Sequence, residues 1–333
     1  MEPTIRKILE RLQQAPRLAV AAHQNPEGDA LGATLAVAWW LRKKGRDARA
    51  YNVDPVPGSL RFLPGADTVT RRVEDLGDPP LVVVVDCGDL SRTGAAFSAF
   101  TKGREIINID HHDTNEGFGA INLVRSQASS TAEIIYDLVT AEGQPVPLEV
   151  AWNLYTGILM DTGSFRFPNT TPAALRIASE LVAAGVDPAR VARETFDTQS
   201  PGKLKLLARV LSTMEFDPEP RLSGVVEMFL TQPMFAETGT QAEDAEGLIN
   251  HPASIQGVRV AVLFRQLGPE RWKVSLRSRV PNDGRPGMNV AKIAEAFGGG
   301  GHRLAAGATV TGSLEQARRA VHERLAPALL ADE

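Results

Sequence analysis

Apolar positions in the first half of the chain fall in short unbroken runs separated by longer stretches of helical spacing. The opening MEPTIRKILERLQQ alternates charged and apolar residues at the spacing of a helix. Arg17–Ala22 is a short apolar run that leads into His23. A helix is predicted over Gly28–Lys44, stopped by Gly45, and Ala48–Val53 reads as a second strand. Leu81–Val85 is a leucine followed by four valines and ends at Asp86; Glu105–Ile109 ends at Asp110. Unbroken β-branched runs suit strands buried on both faces of a parallel sheet. Helical spacing then dominates over Ser130–Ala141, Pro147–Met160 and Pro172–Ala184. Strands alternating with helices predict an α/β fold with a parallel sheet.

The pattern changes near residue 200. Asp197, Ser200, Pro201 and Gly202 form a breaker cluster, and a connecting helix is predicted from Lys203 to Leu211. Strands follow near Leu222–Met228, Val258–Phe264 and Trp272–Ser278, then helices over Asn289–Phe297 and Ser313–Leu330. The expected organisation is a larger α/β domain over 1–195, a linker helix over 196–212 and a smaller α/β domain over 213–333. A chain of 333 residues suits two domains.

Composition narrows the function classes. The net charge is −4, so the broad basic surface that coats long nucleic acid is absent, while a short anion held by a few local charges is compatible. Cys87 is the only cysteine, which excludes an intrachain disulfide and a cysteine-based zinc site. The N-terminal segment lacks the apolar core of a signal peptide. No uncharged apolar stretch approaches the roughly 18 residues that span a bilayer; the longest, Ala30–Leu41, reads as a buried helix. A cytoplasmic protein without membrane or disulfide partners is the expectation.

Candidate chemistry sits where the predicted strands end, the place where open parallel sheets bind ligands. His23, Glu27 and Asp29 follow the first strand in HQNPEGDA, and Asp86 and Asp89 follow the valine strand in DCGD. Asp110, His111, His112 and Asp113 form DHHD, and LMDTGSF supplies Asp161. One aspartate after a strand is ordinarily a turn or helix cap. Three of the chain's six histidines falling at successive strand ends, with a carboxylate in each cluster, point instead to a metal site. Converging carboxylates need cations to neutralise them. Oxygen ligands with some imidazole and no thiolate favour Mn²⁺ or Mg²⁺, the imidazoles tilting the choice to Mn²⁺; zinc fits less well. Two such ions about 3.5–4 Å apart are a common device for phosphoryl hydrolysis.

These clusters resemble the DHH phosphoesterase superfamily, in the order HQNPEGDALG, VVVDCGD, IDHHDTN, ASSTAE, LMDTGSFRF and GGGGHRLAAG. Any one of these motifs is weak; the set in this order, covering nearly the whole chain, is specific. EDAEGLINHPASIQGVRVAVLFR and KVSLRSR are similar to the nanoRNase/pAp-phosphatase branch. The resemblance implies a hydrolase, an exoribonuclease that degrades very short RNA to nucleoside 5′-monophosphates and converts 3′-phosphoadenosine 5′-phosphate (pAp) to AMP. It implies two Mn²⁺, with Mg²⁺ or Co²⁺ as substitutes. His23, Glu27 and Asp86 would hold one ion; Asp29, Asp86, His111 and Asp161 the other, with Asp86 shared. His112 would face the scissile phosphate as donor or general acid, with Asp110 and Asp89 orienting ligands and loops. Glu27 departs from the family's NPD, and its longer side chain approaches from another angle. Its alternative role is that of an acidic residue at a helix N-terminus.

The second domain reads as a substrate clamp. GGGGHRLAAG reads as a glycine-rich loop whose backbone can approach an anion, and alternation places Arg277 and Arg279 of SLRSR on one strand face. The resemblance points to Arg277, Gly300, Gly301 and His302 as substrate contacts, with Ser278 and Arg279 as further candidates. Closure about Pro201 and Gly202 would tie turnover to substrate length. Trp39 and Trp40 read as core or interface, Cys87 as a small buried residue, His251 and His322 as surface residues, and ASSTAE as a helix cap or support for the site floor. The expected partners are short RNA oligonucleotides and small phosphorylated nucleotides; a homodimer is left open. The rival readings are a cyclic or linear dinucleotide phosphodiesterase, a manganese pyrophosphatase-like hydrolase, and a nucleotide-binding module inactivated at Glu27.

Overall fold

A computed structural model describes residues 2–281 and 286–331. The chain divides into two units, Met1–Thr198 and Gln199–Glu333. Unit 1 contains a parallel sheet of strands β1 (Arg17–Ala21), β2 (Asp47–Tyr51), β3 (Leu81–Val85), β4 (Glu105–Asp110) and β5 (Ile121–Val124), in the order β2-β1-β3-β4-β5. Every residue of β3 is buried. Val83 and Val85 join the main core, whereas Val82 and Val84 pack with Tyr51, Leu76 and Phe97 on the opposite face. Burial on both faces explains a run without polar alternation. β5 is absent from the sequence expectation. It has only four residues, Asn122 interrupts its apolar run, and it is defined by pairing with β4 at the sheet edge.

Seven helices of unit 1 are α1 (Pro3–Gln14), α2 (Gly28–Lys43), α3 (Ala95–Phe100), α4 (Thr131–Thr140), α5 (Leu148–Asp161), α6 (Pro172–Ala183) and α7 (Pro188–Ala192). Unbroken burial of α2 from Gly28 to Ala38 accounts for its nearly uniform apolar composition. Trp40 is in the core and Trp39 packs against it. Among the described residues no helix is long and apolar enough to cross a membrane. Helices α2 and α5 meet through glycines: a Cβ on Gly32 would lie 2.5 Å from the Asn153 carbonyl oxygen, and one on Gly157 would lie 2.9 Å from Asp29 Oδ1. Close packing here brings Asp29 near the end of α5, where Asp161 lies.

Unit 2 comprises α8 (Pro201–Leu211), β6 (Glu215–Phe216), β7 (Val225–Leu230), α9 (Gln232–Thr238), α10 (Asn250–Ala253), β8 (Val260–Gly268), β9 (Arg271–Ser278), α11 (Val290–Glu295), β10 (Gly300–His302), β11 (Ala305–Thr311) and α12 (Leu314–Ala331). Its mixed sheet runs β10-β11-β9-β8-β7-β6, with β7 and β8 parallel. One face packs against α11 and α12, the other against α8, α9 and α10. Helix α8, in the segment expected to connect the halves, buries Leu206 and Val210 in the core of unit 2.

Two expectations need correction here. GGGGHRLAAG is not a loop: Gly300–His302 pair with Ala305–Gly307 as an edge hairpin. Its glycines serve close backbone approach, since a Cβ on Gly299 would meet the Gly307 carbonyl oxygen at 2.2 Å. His322 is not a free surface residue. Its Nε2 lies 2.6 Å from Oε1 of the fully buried Glu227, which also accepts from Arg318 Nε at 2.8 Å. His251 is exposed, as expected.

Candidate metal centre

The strand order of unit 1 reverses between β1 and β3, and the crevice beyond the carboxyl ends of such strands is where doubly wound sheets bind ligands. His23 follows β1 and Asp86 follows β3. Asp86 has φ +51°, a left-handed conformation that a non-glycine residue rarely takes and that costs on the order of 1–3 kcal/mol. The bend turns its carboxylate to meet two groups. Asp86 Oδ2 lies 3.4 Å from His23 Nε2, which is itself 3.3 Å from Glu27 Oε1. Asp86 Oδ1 lies 3.7 Å from His111 Nε2, which is 3.5 Å from Asp161 Oδ2. His23, Glu27 and Asp86 offer ligand atoms within 4.8 Å of one another, as do Asp29, His111 and Asp161.

Contacts from other elements aim these groups. His23 Nδ1 lies 2.7 Å from the Gln24 carbonyl oxygen and His111 Nδ1 lies 3.4 Å from that of Ala128, so both rings turn Nε2 toward the carboxylates. The Asp29 carboxylate accepts from the Thr131 and Ala132 amides, at 2.6 and 2.9 Å, where the amino end of α4 favours negative charge. Ser130 caps α4 by accepting from the Glu133 amide, and Thr131 Oγ1 donates to Asp86 Oδ1 at 3.0 Å. The ASSTAE segment therefore caps a helix and also supports the site. Glu27 likewise combines two positions: it caps α2 by accepting from the Ala30 amide, and it faces His23.

Asp110 is fully buried and accepts from the His111 amide, from His112 Nδ1 at 2.7 Å and from Asn115 Nδ2 at 2.6 Å. Asn115 carries no role in the sequence reading, although it closes the IDHHDTN motif; its partners only become apparent once the chain turns back on β4. Asp89 accepts from the amide and hydroxyl of Ser91 at the start of a short turn. Cys87 is buried beside the site, and burial pushes its thiol up to about 11, which makes it a poor nucleophile.

The charges fit a cation site. Burial and the Asp86 charge hold Asp29 and Asp161 well above the usual carboxylate range. Burial also opposes ionisation of Asp86, but the surrounding His23, His112 and His111 outweigh it and hold Asp86 well below that range. His23 is pushed up to about 12 and His112 to about 9, neighbouring carboxylates overcoming burial in both. The cluster thus neutralises itself with protons that divalent ions would displace. Asp161 Oδ2 is buried and accepts no hydrogen bond, leaving an oxygen ready for a ligand. Aspartate oxygens joined by two aligned imidazoles, with no thiolate at hand, suit Mn²⁺ or Mg²⁺.

In unit 2 the register aligns His302 with Ala305 and Ala305 with Arg277, so His302 and Arg277 share one sheet face. Gly300 is on that face and Gly301 on the other, where a Cβ would meet the Ala305 carbonyl oxygen at 2.5 Å. Ser278 is not brought to Arg277: it has the parity of the core residue Leu276, and its buried Oγ has no hydrogen-bond partner. Arg279 lies past the strand end and donates to the Ser254 and Ile255 carbonyls.

Residues 17–158 match the DHH family, N-terminal domain, and residues 224–326 match the DHHA1 domain. The chain is 37% identical to the bifunctional oligoribonuclease and PAP phosphatase NrnA of Thermus thermophilus over 91% of its length and 87% of that protein. It is 27% identical to the Bacillus subtilis protein of the same name, over 86% and 87%. An exopolyphosphatase-related protein of Bacteroides fragilis superposes with a TM-score of 0.88 at 26% identity, covering 98% of this chain and 97% of that one. RecJ of T. thermophilus, solved with Mn²⁺, shares the fold with a TM-score of 0.58 at 16% identity, over 99% of this chain and 55% of RecJ. Family matches over both units and a relative this similar along nearly the whole chain agree: the chain belongs to the DHH family of phosphoesterases, on its NrnA-like branch.

Proposed function

We propose that the chain hydrolyses phosphate esters of very short RNA and of pAp, using two divalent cations, Mn²⁺ by preference. The observation that carries this reading is the Asp86 carboxylate, which faces His23 with one oxygen and His111 with the other. His23, Glu27 and Asp86 would hold one ion, and Asp29, Asp86, His111 and Asp161 the other. Bound cations supply the Lewis acidity and the activated water that phosphoester hydrolysis requires. Asp110 holds Nδ1 of His112, so a proton given to a phosphate or leaving oxygen would pass through Nε2. The Thr131 and Ala132 amides at the amino end of α4 hold the Asp29 carboxylate aimed toward the other ligands. In unit 2, Arg277 and His302 would grip a phosphate outside the bond being cut. The same activities named for the Thermus and Bacillus relatives support this choice over the cyclic dinucleotide and pyrophosphate readings. An assay in Mn²⁺ comparing pAp, RNA from the dinucleotide upward, cyclic di-AMP and pyrophosphate tests it. Turnover of pAp and short RNA is expected; turnover confined to pyrophosphate or to the cyclic substrate would sink the proposal.

A further inference from the structure

The face of the unit 2 sheet that carries Arg277 continues beyond it. Along β9, Trp272, Val274 and Leu276 enter the core beneath α11 and α12, as do Ala306, Ala308 and Val310 of β11. The alternate residues of β9, namely Lys273, Ser275 and Arg277, point the other way. On that other face, α8, α9 and α10 cover side chains of β7 and β8, but no side chain of β9 or β11 belongs to their core.

Register arranges these outward-facing residues in rows. Arg277 is paired with Ala305, Ser275 with Gly307, and Lys273 lies opposite Arg265 of β8. The middle row has almost no side chain above the backbone. It is a shallow floor between two cationic rows, Arg277 with His302 on one side and Lys273 with Arg265 on the other. Lys273 is exposed, and Arg265 is half-buried and braced by donating from Nη1 to the Ala242 carbonyl oxygen at 2.7 Å. Among the described residues, Glu246 is the acidic group whose charge reaches both Lys273 and Arg277. The outer rows are four residues apart, about 13 Å between Cα atoms. Side chains of this length can lean inward and shorten that span toward the distance between neighbouring phosphates of an extended strand.

We infer that Lys273 and Arg265 form a second phosphate subsite, next to the one at Arg277 and His302, with the bare floor receiving the nucleoside between them. This rests on the proposed nucleotide activity and adds a device for reading length. Substrates with a single phosphate besides the one being cut, such as pAp, use the Arg277 row. A 5′-phosphorylated trinucleotide has two and engages both rows.

Binding of labelled pAp and of the labelled 5′-phosphorylated trinucleotide to the full chain, measured by fluorescence anisotropy in chelator, separates the subsite from catalysis. Lys273→Ala and Arg265→Ala should each weaken the trinucleotide about 10-fold and pAp less than about 3-fold, and lower the trinucleotide's salt slope by about 0.7 for each phosphate no longer held. Lys273→Arg should restore the affinity. Equal weakening of both ligands, or none for the trinucleotide, overturns the subsite. Length-dependent binding by a wild-type chain that cleaves neither ligand in Mn²⁺ would uphold the subsite and reject the hydrolytic reading.

Discussion

At the residue scale, Asp86 faces both groups of candidate ligands, His23 with one oxygen and His111 with the other, from a strained left-handed backbone conformation. Asparagine tolerates the left-handed region and keeps an acceptor for Thr131, but it cannot supply the charge. Asp86→Asn should therefore fold normally while losing turnover by on the order of 10³-fold or more. Circular dichroism and an Mn²⁺ assay check this; substantial turnover in a folded variant would remove Asp86 from the centre. His112 and Asn115 illustrate how side chains are positioned by a common partner, the buried Asp110. The resemblance implies an orienting role for Asp110, and the hydrogen bonds give its partners: the His111 amide, His112 Nδ1 and Asn115 Nδ2.

At the scale of elements, helix termini and sheet edges do most of the positioning. The amino end of α4 receives Asp29, and α12 is fastened to β7 through a buried charge cluster. Glu227 accepts from Arg318 and His322, with Asp217 3.5 Å from His322 Nδ1 and Glu215 at 3.2 Å from Arg318. Burial lowers the pKa of His322, but Glu227 and Asp217 overcome it and raise it above the ordinary value despite Arg318. A raised folded-state pKa gives stability that is fully present below the unfolded value near 6.5 and is lost as pH rises through the folded value. The stability advantage of the wild type over His322→Gln should accordingly shrink as pH rises from about 6 past the folded-state pKa. Denaturant unfolding across that range measures it, and an advantage that grows with pH would contradict the pairing.

At the scale of the whole molecule, the proposed function would divide its chemistry between the two units, with the candidate metal ligands in unit 1 and the candidate phosphate contacts in unit 2. Because ions bind the folded centre in preference to the open chain, Mn²⁺ at about 100 times its Kd should stabilise unit 1 by about 2.7 kcal/mol. Calorimetry should show the unit 1 transition rising by several degrees with Mn²⁺ and falling back with chelator, and Asp161→Asn should blunt the rise. A transition that ignores Mn²⁺ would rule out the centre as described.

Much of this is legible in the sequence because the signals are local. The valine strand, the uniformly apolar α2 and the acidic and histidine clusters at strand ends each depend on residues within a short window. Periodicity carries no sign of β5, whose four residues become a strand only beside β4, or of the hairpin at Gly300–His302, whose glycines read as a loop. His322 reads as a surface residue because Glu227 lies 95 positions away. Strand alternation separates Ser278 from Arg277, which the run SLRSR alone cannot do without the strand's core-facing parity. Sequence by itself determined the long helices and buried strands and which side chains offer cation- or phosphate-binding chemistry, since propensity, burial period and ligand chemistry are properties of nearby residues. Tertiary structure alone decided that Asp29 meets an amide 102 residues away and that Asp86 faces two groups of ligands, because only packing brings distant segments within reach of one hydrogen bond or one ion.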